Sequence, residues 1–464
     1  MEILFLSPEV APWSKTGGLA DVAGALPPAL AARGHAVTVV TPLHRSVDRA
    51  GLRAIGKSAA VKLGPDLLEA QLFEVARSNP KLRTVFLAHP LFDRAEIYGD
   101  YPDNFFRFAF FSEAALEVPK ALGFVPGIVH GNDWTTGPAI WRAHERGLGK
   151  QVFTIHNLAY QGLFDASALR TLGWPLQRFH PEALEFYGQL SFMKAGLVFA
   201  DALTTVSPTY AREIQTAELG CGLDGLLRKR RQALTGILNG IDVHEWDPRT
   251  DRALTQRYGP ETQLAGKAAC KASLQQELGL PVAPRTPLFA MVSRFVEQKG
   301  FDLLLEVLDD LLFGRAQVAI LGNGDKLIEQ ALLRINRPRA FAVRVAFDNA
   351  LAHRLGAGGD FFLLPSRFEP CGLGQMYAMR YGTVPVVRAT GGLADTVIDE
   401  AAEGATGFSF EPYTAEALRG TIDRAILAYQ RDRLKPMQAR GMAKDFSWAV
   451  AAASYERIYT RLCA

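Results

Sequence analysis

One order of segments, met twice along the chain, limits the fold most. Residues 2–7 (EILFLS) are a short apolar run, and a glycine-containing loop from Lys15 to Leu19 follows. An Ala-rich apolar stretch from about Asp21 to Arg33 ends at Gly34, and the β-branched run 36–41 (AVTVVT) comes next. Strand, glycine loop, helix, glycine, strand is a βαβ unit, and it implies a parallel sheet. Runs at 84–88, 127–130, 151–155, 202–206 and 234–238 add strands, with helical stretches such as 105–117 and 137–146 between them. After residue 285 the pattern restarts. There 287–292, 317–321, 360–364 and 384–388 read as strands, and 300–313, 415–430 and 448–462 as helices. The break lies within 240–285, where Asn239-Gly240, Pro248 and a polar stretch interrupt the pattern. The hexapeptide TGGLAD at 16–21 recurs at 390–395, each time between a strand and a helix. The chain therefore reads as two serial α/β blocks with one glycine loop each. In open α/β sheets, ligands sit beyond the carboxyl ends of the strands.

Composition removes several classes. A chain of 464 residues with 48% hydrophobic and 21% charged residues buries a large core, so disorder is excluded as its main state. Lys+Arg 51 against Asp+Glu 48 gives a net charge of +3, which offers no argument for nucleic acid as a partner. The four cysteines, Cys221, Cys270, Cys371 and Cys463, form no C-x-x-C pair and no disulfide framework, so a reduced, cytoplasmic setting is expected. The first residues carry an acid where a signal peptide needs basic residues, and no run of 18 apolar residues occurs, so no membrane partner is expected.

Some motifs fail on context. Residues 51–58 (GLRAIGKS) match a P-loop, but 45–50 is polar and 59–63 (AAVKL) is too short for the helix a P-loop needs. Gly322-x-Gly324 lacks the third glycine of a dinucleotide fingerprint. No H-E-x-x-H or D-x-D is present, so a phosphate-bearing substrate must be met by side chains and backbone N–H groups.

Five segments at strand carboxyl ends suit such a substrate. Lys15-Thr-Gly-Gly-Leu19 offers a point charge and a glycine backbone that turns N–H groups toward an anion; it also reads as a plain strand-to-helix turn. Arg294 and Lys299, five residues apart, suit one diphosphate or a solvated loop. In SRFEPCGL (366–373), Pro370 holds Glu369 extended and Gly372 frees the backbone at a helix start; Glu369 there is a sugar ligand or a helix cap. HGNDW (130–134) and HNLAYQG (156–162) set polar groups beside aromatics, as sugar recognition requires.

With these residues the chain resembles the bacterial glycogen synthase and plant starch synthase family. The likeness runs from about residue 2 to 462, through KTGGLADV (15–22), YPDNFFRF (101–108), HGNDW, HNLAYQG and NGID (239–242). It continues with KAACKASLQQELGLP (267–281), SRFVEQKGFDL (293–303), LGNGD (321–325), SRFEPCGL, TGGLADTV (390–397) and DFSW (445–448). The resemblance implies an α/β GT-B fold, two Rossmann-like domains facing across a deep cleft that closes on its substrates. It implies an N-terminal acceptor and catalytic domain over 1–240, a C-terminal nucleotide-sugar domain over 241–440, and a terminal helix over 441–464 crossing back. The implied activity is retaining transfer of α-glucosyl from ADP-glucose to the non-reducing end of glycogen or another α-1,4-glucan, releasing ADP, with no cofactor and no metal. Lys15, Arg294 and Lys299 should then hold the diphosphate, with Gly18, Gly372 and Leu373 adding loop or helix-end contacts. Asp21, Asp133, His156 and Asn239 should face the glucose or the acceptor. Glu369 should sit at the donor sugar and, with the main-chain carbonyl near His156, stabilise the sugar cation, while Gly391, Gly392 and Leu393 line the second loop. Phe347 stands where the family usually has a tyrosine that stacks on the base, and Gly374 replaces a common threonine. Both departures bear on ADP-glucose against UDP-glucose. Cys371 reads as a small packed residue or an activity-sensitive thiol. A related glucosyltransferase with another nucleotide or acceptor, and a silent glucan-binding protein, are the alternatives. The sequence leaves the oligomeric state open.

Overall fold

The apolar run at the start of the chain becomes a central strand. The computed structural model describes residues 1–76, 79–262 and 264–464. They form two units, Met1–Gly240 with Trp448–Ala464, and Ile241–Ser447. Residues 441–447 thus belong to the second unit. In the first unit the strands are β1 (Glu2–Leu6), β2 (Ala36–Pro42), β3 (Leu52–Leu63), β4 (Asp66–Val75), β5 (Leu82–Ala88), β6 (Ile128–Asn132) and β7 (Lys150–Ile155). They continue with β8 (Leu163–Asp165), β9 (Glu185–Phe186), β10 (Gln189–Ser191), β11 (Ala202–Thr205) and β12 (Leu234–Gly236). Nine of them make one sheet in the order β12-β11-β7-β6-β1-β2-β5-β4-β3. It is parallel from β12 through β5 and antiparallel where β4 and β3 pair. The order reverses at β1, so the crevice of this sheet opens between the carboxyl ends of β1 and β6.

The helix after β1 spans Gly18–Ala32, three residues earlier than its apolar run suggests. Val22, Leu26 and Leu30 recur at helical spacing on its buried face and pack with Ile3, Phe5 and Val39 of the sheet. Burying each such side chain contributes about 1.5–3 kcal/mol. The helix Trp448–Cys463 adds Tyr455 and Tyr459 to the same cluster.

The hairpin β3–β4 is absent from the sequence reading, and it agrees with the rejection of the P-loop match. The P-loop match lies along β3 itself, where Gly56 takes φ +72° at an irregularity of register between Ala54 and Ser58. Its edge position leaves much of the strand exposed, so no apolar run marks it.

The second unit holds β13 (Leu288–Val292), β14 (Gln317–Gly322), β15 (Phe341–Val345), β16 (Phe361–Leu364), β17 (Val384–Arg388) and β18 (Phe408–Phe410). They form a parallel sheet in the order β15-β14-β13-β16-β17-β18. That is the doubly wound order, with its crevice between β13 and β16. The helix Phe301–Leu312 buries Leu304, Val307, Leu308 and Leu311 against this sheet. The polar segment that follows Gly240 is fastened by Trp246, whose ring stacks between His353 at 3.9 Å and Tyr377 at 3.8 Å.

Candidate active site

Each sheet brings sequence-predicted residues to its own crevice. In the first unit the chain leaves β1 and buries Glu9, whose carboxylate accepts the Thr16 N–H, the Gly17 N–H and, at 3.2 Å, the Tyr98 hydroxyl. Burial outweighs these donors and pushes the Glu9 pKa up to about 7. The anion met by the glycine-loop N–H groups of Thr16 and Gly17 is therefore Glu9. This corrects the expectation that these groups turn outward to a ligand. Lys15 and Gly18 are exposed beside them, and Lys15 Nζ pairs with Asp21 Oδ1 at 2.6 Å.

Across this crevice, Asp133 follows β6 with φ 57° and ψ 178°, a conformation that strains any residue bearing a Cβ. The turn aims its carboxylate at the end of β7, where Oδ1 accepts the His156 N–H at 2.7 Å and the Asn157 N–H at 3.4 Å. Burial raises the Asp133 pKa to about 7 against these donors. His156 Nε2 donates to Asn132 Oδ1 at 2.9 Å, and Asn132 Nδ2 donates to the Leu6 carbonyl at 2.9 Å. Burial lowers the His156 pKa to about 3, so the ring is neutral and its Nδ1 is an acceptor. Asn239 is buried after β12, and its Oδ1 finds no partner among the described residues.

Two members of the quoted motifs are engaged by neighbours within the unit, His130 in the core and Trp134 at its partly buried margin. His130 lies between Tyr459 (2.7 Å) and Thr154 (2.6 Å). Trp134 packs edge-on against Phe108 with ring centres 4.9 Å apart.

In the second unit, Lys299 from the segment after β13 meets Glu369 from the segment after β16 at 2.6 Å. Both side chains are largely buried, and Ser366 Oγ donates to the same carboxylate oxygen at 3.1 Å. Arg294 is exposed and makes no ion pair among the described residues, so its charge is available to an anion. Gly372, at φ +69°, and Leu373 lead into the helix Gly374–Arg380. Cys371 is buried, as a small packed residue would be. The Gly391-Gly392 turn lies against residues 369–371, where the Gly392 N–H reaches the carbonyls of Glu369 and Pro370 at 3.2 Å. Leu393 is fully buried, so its side chain belongs to the core and does not line a ligand surface. Phe347 presents an exposed ring (81%) in the segment after β15, apart from the Lys299–Glu369 pair in sheet position.

Sequence reasoning missed Glu9, Tyr98, Asn132, Ser366 and Gln375 as members of these crevices. Gln375 is buried and donates to the Gly372 carbonyl at 2.8 Å, and its Oε1 has no partner among the described residues. Asn132 and Ser366 stood inside quoted motifs; Glu9 lies only seven residues before Thr16 but belongs to no motif, and Tyr98 is remote in sequence. Among the described residues, no three His, Cys, Asp or Glu side chains gather as a metal site, and no helix is long and apolar enough to cross a membrane.

Two doubly wound units, each with charged and polar groups at its crevice, together with the family matches below, define a two-domain glycosyltransferase of GT-B-like fold. The model of the starch synthase catalytic domain matches residues 2–229, and that of glycosyl transferases group 1 matches 279–439. A glycogen synthase of Anaeromyxobacter sp. is 52% identical, and one of Anaeromyxobacter dehalogenans 53%, with all of both chains covered in each case. The catalytic domain of starch synthase IV from Arabidopsis thaliana, solved with ADP and acarbose, superposes with a TM-score of 0.92 at 33% identity, covering 100% of this chain and 99% of that one. The chain belongs to the bacterial glycogen synthase family.

Proposed function

We propose that the chain transfers an α-glucosyl unit from ADP-glucose to the non-reducing end of an α-1,4-glucan, with retention and without a metal. The observation that carries this reading is the Lys299–Glu369 pair at the second sheet's crevice, with the uncommitted Arg294 in the same segment as Lys299. Cations there suit a diphosphate, and a fixed carboxylate suits a sugar. The Arabidopsis relative, solved with ADP and acarbose, supports a nucleotide and a glucan as the ligand classes.

The second unit is the nucleotide-sugar domain in this reading, and the first supplies the acceptor and catalytic groups. As the C1–O bond breaks, negative charge grows on ADP and positive charge on the sugar. Arg294, Lys299 and Lys15 stabilise the first, and Glu369 the second. The glucan 4-hydroxyl oxygen bonds to C1 from the face that ADP leaves, and its proton passes to the departing phosphate oxygen. Neutral His156 and strained Asp133 orient sugar hydroxyls, which matches a costly backbone kept at a functional position. The exposed Phe347 ring stacks on the base.

The test is nucleotide release from ADP-glucose or UDP-glucose, with and without glycogen, in EDTA. Glycogen-dependent ADP release is the expected result. Release from UDP-glucose alone would overturn the donor and turn attention to Phe347 and Gly374. No release from either would remove the catalytic role from Glu369. A trapped glucosyl–enzyme adduct would overturn the same-face transfer.

A further inference from the structure

Glu9 is a buried acid without an evident reason to be one. It is 2% exposed and makes no Lys or Arg ion pair among the described residues. Two further acids, Asp21 and Asp133, lie within electrostatic reach. Burying a carboxylate without a cation costs more than burying an amide or an apolar side chain. Its partners are the backbone of one loop and one hydroxyl, namely the Thr16 and Gly17 N–H groups and Tyr98.

Tyr98 is itself fixed. Arg107 donates to its carbonyl at 2.9 Å and Asn104 at 3.1 Å. Both belong to the segment YPDNFFRF at 101–108, which the proposed chemistry does not use. A line of hydrogen bonds thus runs from this segment through Tyr98 and Glu9 to the Lys15–Gly18 loop.

We propose that Glu9 is the positioning residue of this loop: its carboxylate, oriented by Tyr98, holds the Thr16 and Gly17 N–H groups and so sets where Lys15 and Gly18 meet the donor diphosphate. The inference rests on the ADP-glucose reading above. The groups facing Glu9 are Tyr98 from its own segment, Asp21 and the loop N–H groups from the helix start, and Asp133 from the end of β6, with Arg107 beyond Tyr98. Protonation removes an acceptor, so the loop is held best above the Glu9 pKa of about 7. The folded-state pKa is raised, so the charge favours unfolding as pH rises through 7. A neutral isostere therefore leaves the fold as stable or more stable at pH 8.

The experiment compares wild type, Glu9→Gln and Tyr98→Phe. In Glu9→Gln the KM for ADP-glucose rises on the order of 10- to 100-fold, as misplacement of a binding group produces. The KM for glycogen changes little, and Tm at pH 8 does not fall. In Tyr98→Phe the carboxylate loses a donor, so the acid limb of kcat/KM moves up by roughly 0.5–1 pH unit. Unchanged donor KM and pH limbs overturn the proposal, as does an activity loss with a matching fall in Tm and equal effects on both substrates. Hydrogen exchange reads the loop directly and independently of turnover. Faster exchange of the Thr16 and Gly17 amides in Glu9→Gln supports the latch, and unchanged exchange overturns it. If wild type releases no nucleotide while the exchange responds, the donor reading has failed and the latch stands.

Discussion

The hexapeptide TGGLAD occurs in both units and does different work in each. At 16–21 the glycines are open: a Cβ on Gly17 would meet nothing within 4 Å, and Gly18 is exposed. At 390–395 they are closed: a Cβ on Gly391 would lie 1.9 Å from the Glu369 carbonyl oxygen, and one on Gly392 2.0 Å from that of Cys371. The first copy meets a carboxylate and solvent, the second meets backbone. Identical residues serve a loop that can face a ligand in one unit and a close backbone contact in the other. The surroundings decide which role a glycine pair has, and those surroundings lie outside the hexapeptide itself.

The sharpest way to break this comparison is Gly392→Ala. Its Cβ would press on backbone that carries Cys371, and backbone does not swing aside as a flexible side chain does. We expect a loss of about 3 kcal/mol or more, or failure of the second unit to fold, measured by denaturant unfolding. A stable variant would show that the close approach is not required.

Next in size is Glu369→Gln. The second copy packs against the backbone of Glu369, while the side chain turns to Lys299 and Ser366. If the packed loop exists to hold a carboxylate at a reacting sugar, kcat falls about 10²–10³-fold while the fold survives. Stability measured in parallel separates that outcome from a packing defect. Activity within about twofold of wild type would leave the second copy purely structural.

These outcomes bear on what the sequence could reveal. The strands themselves, and the motifs that follow them, were legible because β1, β2, β13 and β17 are continuous apolar runs between glycine-bearing turns, whereas their order within each sheet came only with the structure. The β3–β4 hairpin was not, because an edge strand with half its residues exposed carries no such run. Lys299 and Glu369 were legible from spacing after strands, although their pairing needed the adjacency of β13 and β16. The opposite fates of the two glycine pairs were illegible: nothing in TGGLAD tells that Glu9 waits behind one copy and residues 369–371 behind the other.

Charge sharpens the contrast further. The first copy is held by a titrating acid, the second by carbonyls. The second unit has a strongly perturbed histidine elsewhere. His353 donates to Asp251 at 2.7 Å, and despite its burial that bond and the nearby Glu245 raise its pKa to about 9. The raised value means that its stabilisation is complete below pH 6.5 and lost as pH rises through 9. Buried Lys267, lowered from 10.5 to about 7, titrates with the opposite sign over an overlapping range that extends to higher pH. The wild-type curve therefore mixes opposing contributions, and the difference between wild type and His353→Gln is the quantity to measure. The cost of His353→Gln should shrink on the order of 2–3 kcal/mol between pH 6 and 10. A constant cost would show that His353 is not charged in the fold.

The smallest effect on stability should come from Gly17→Ala. The residue caps the helix Gly18–Ala32 with φ −155° and ψ −164°, an extended conformation that alanine adopts without strain. Alanine is a poorer cap than glycine, but it also restricts the unfolded chain, and these terms oppose each other. A net change below about 1 kcal/mol follows, against the large loss at Gly392. Function is the harder test. The added methyl enters space that no described side chain occupies, beside Lys15 and Gly18. If that space receives the donor diphosphate, the KM for ADP-glucose rises several-fold or more while Tm stays near wild type. If the KM is unchanged, the openness of the first copy is incidental, and the two hexapeptides differ in packing alone.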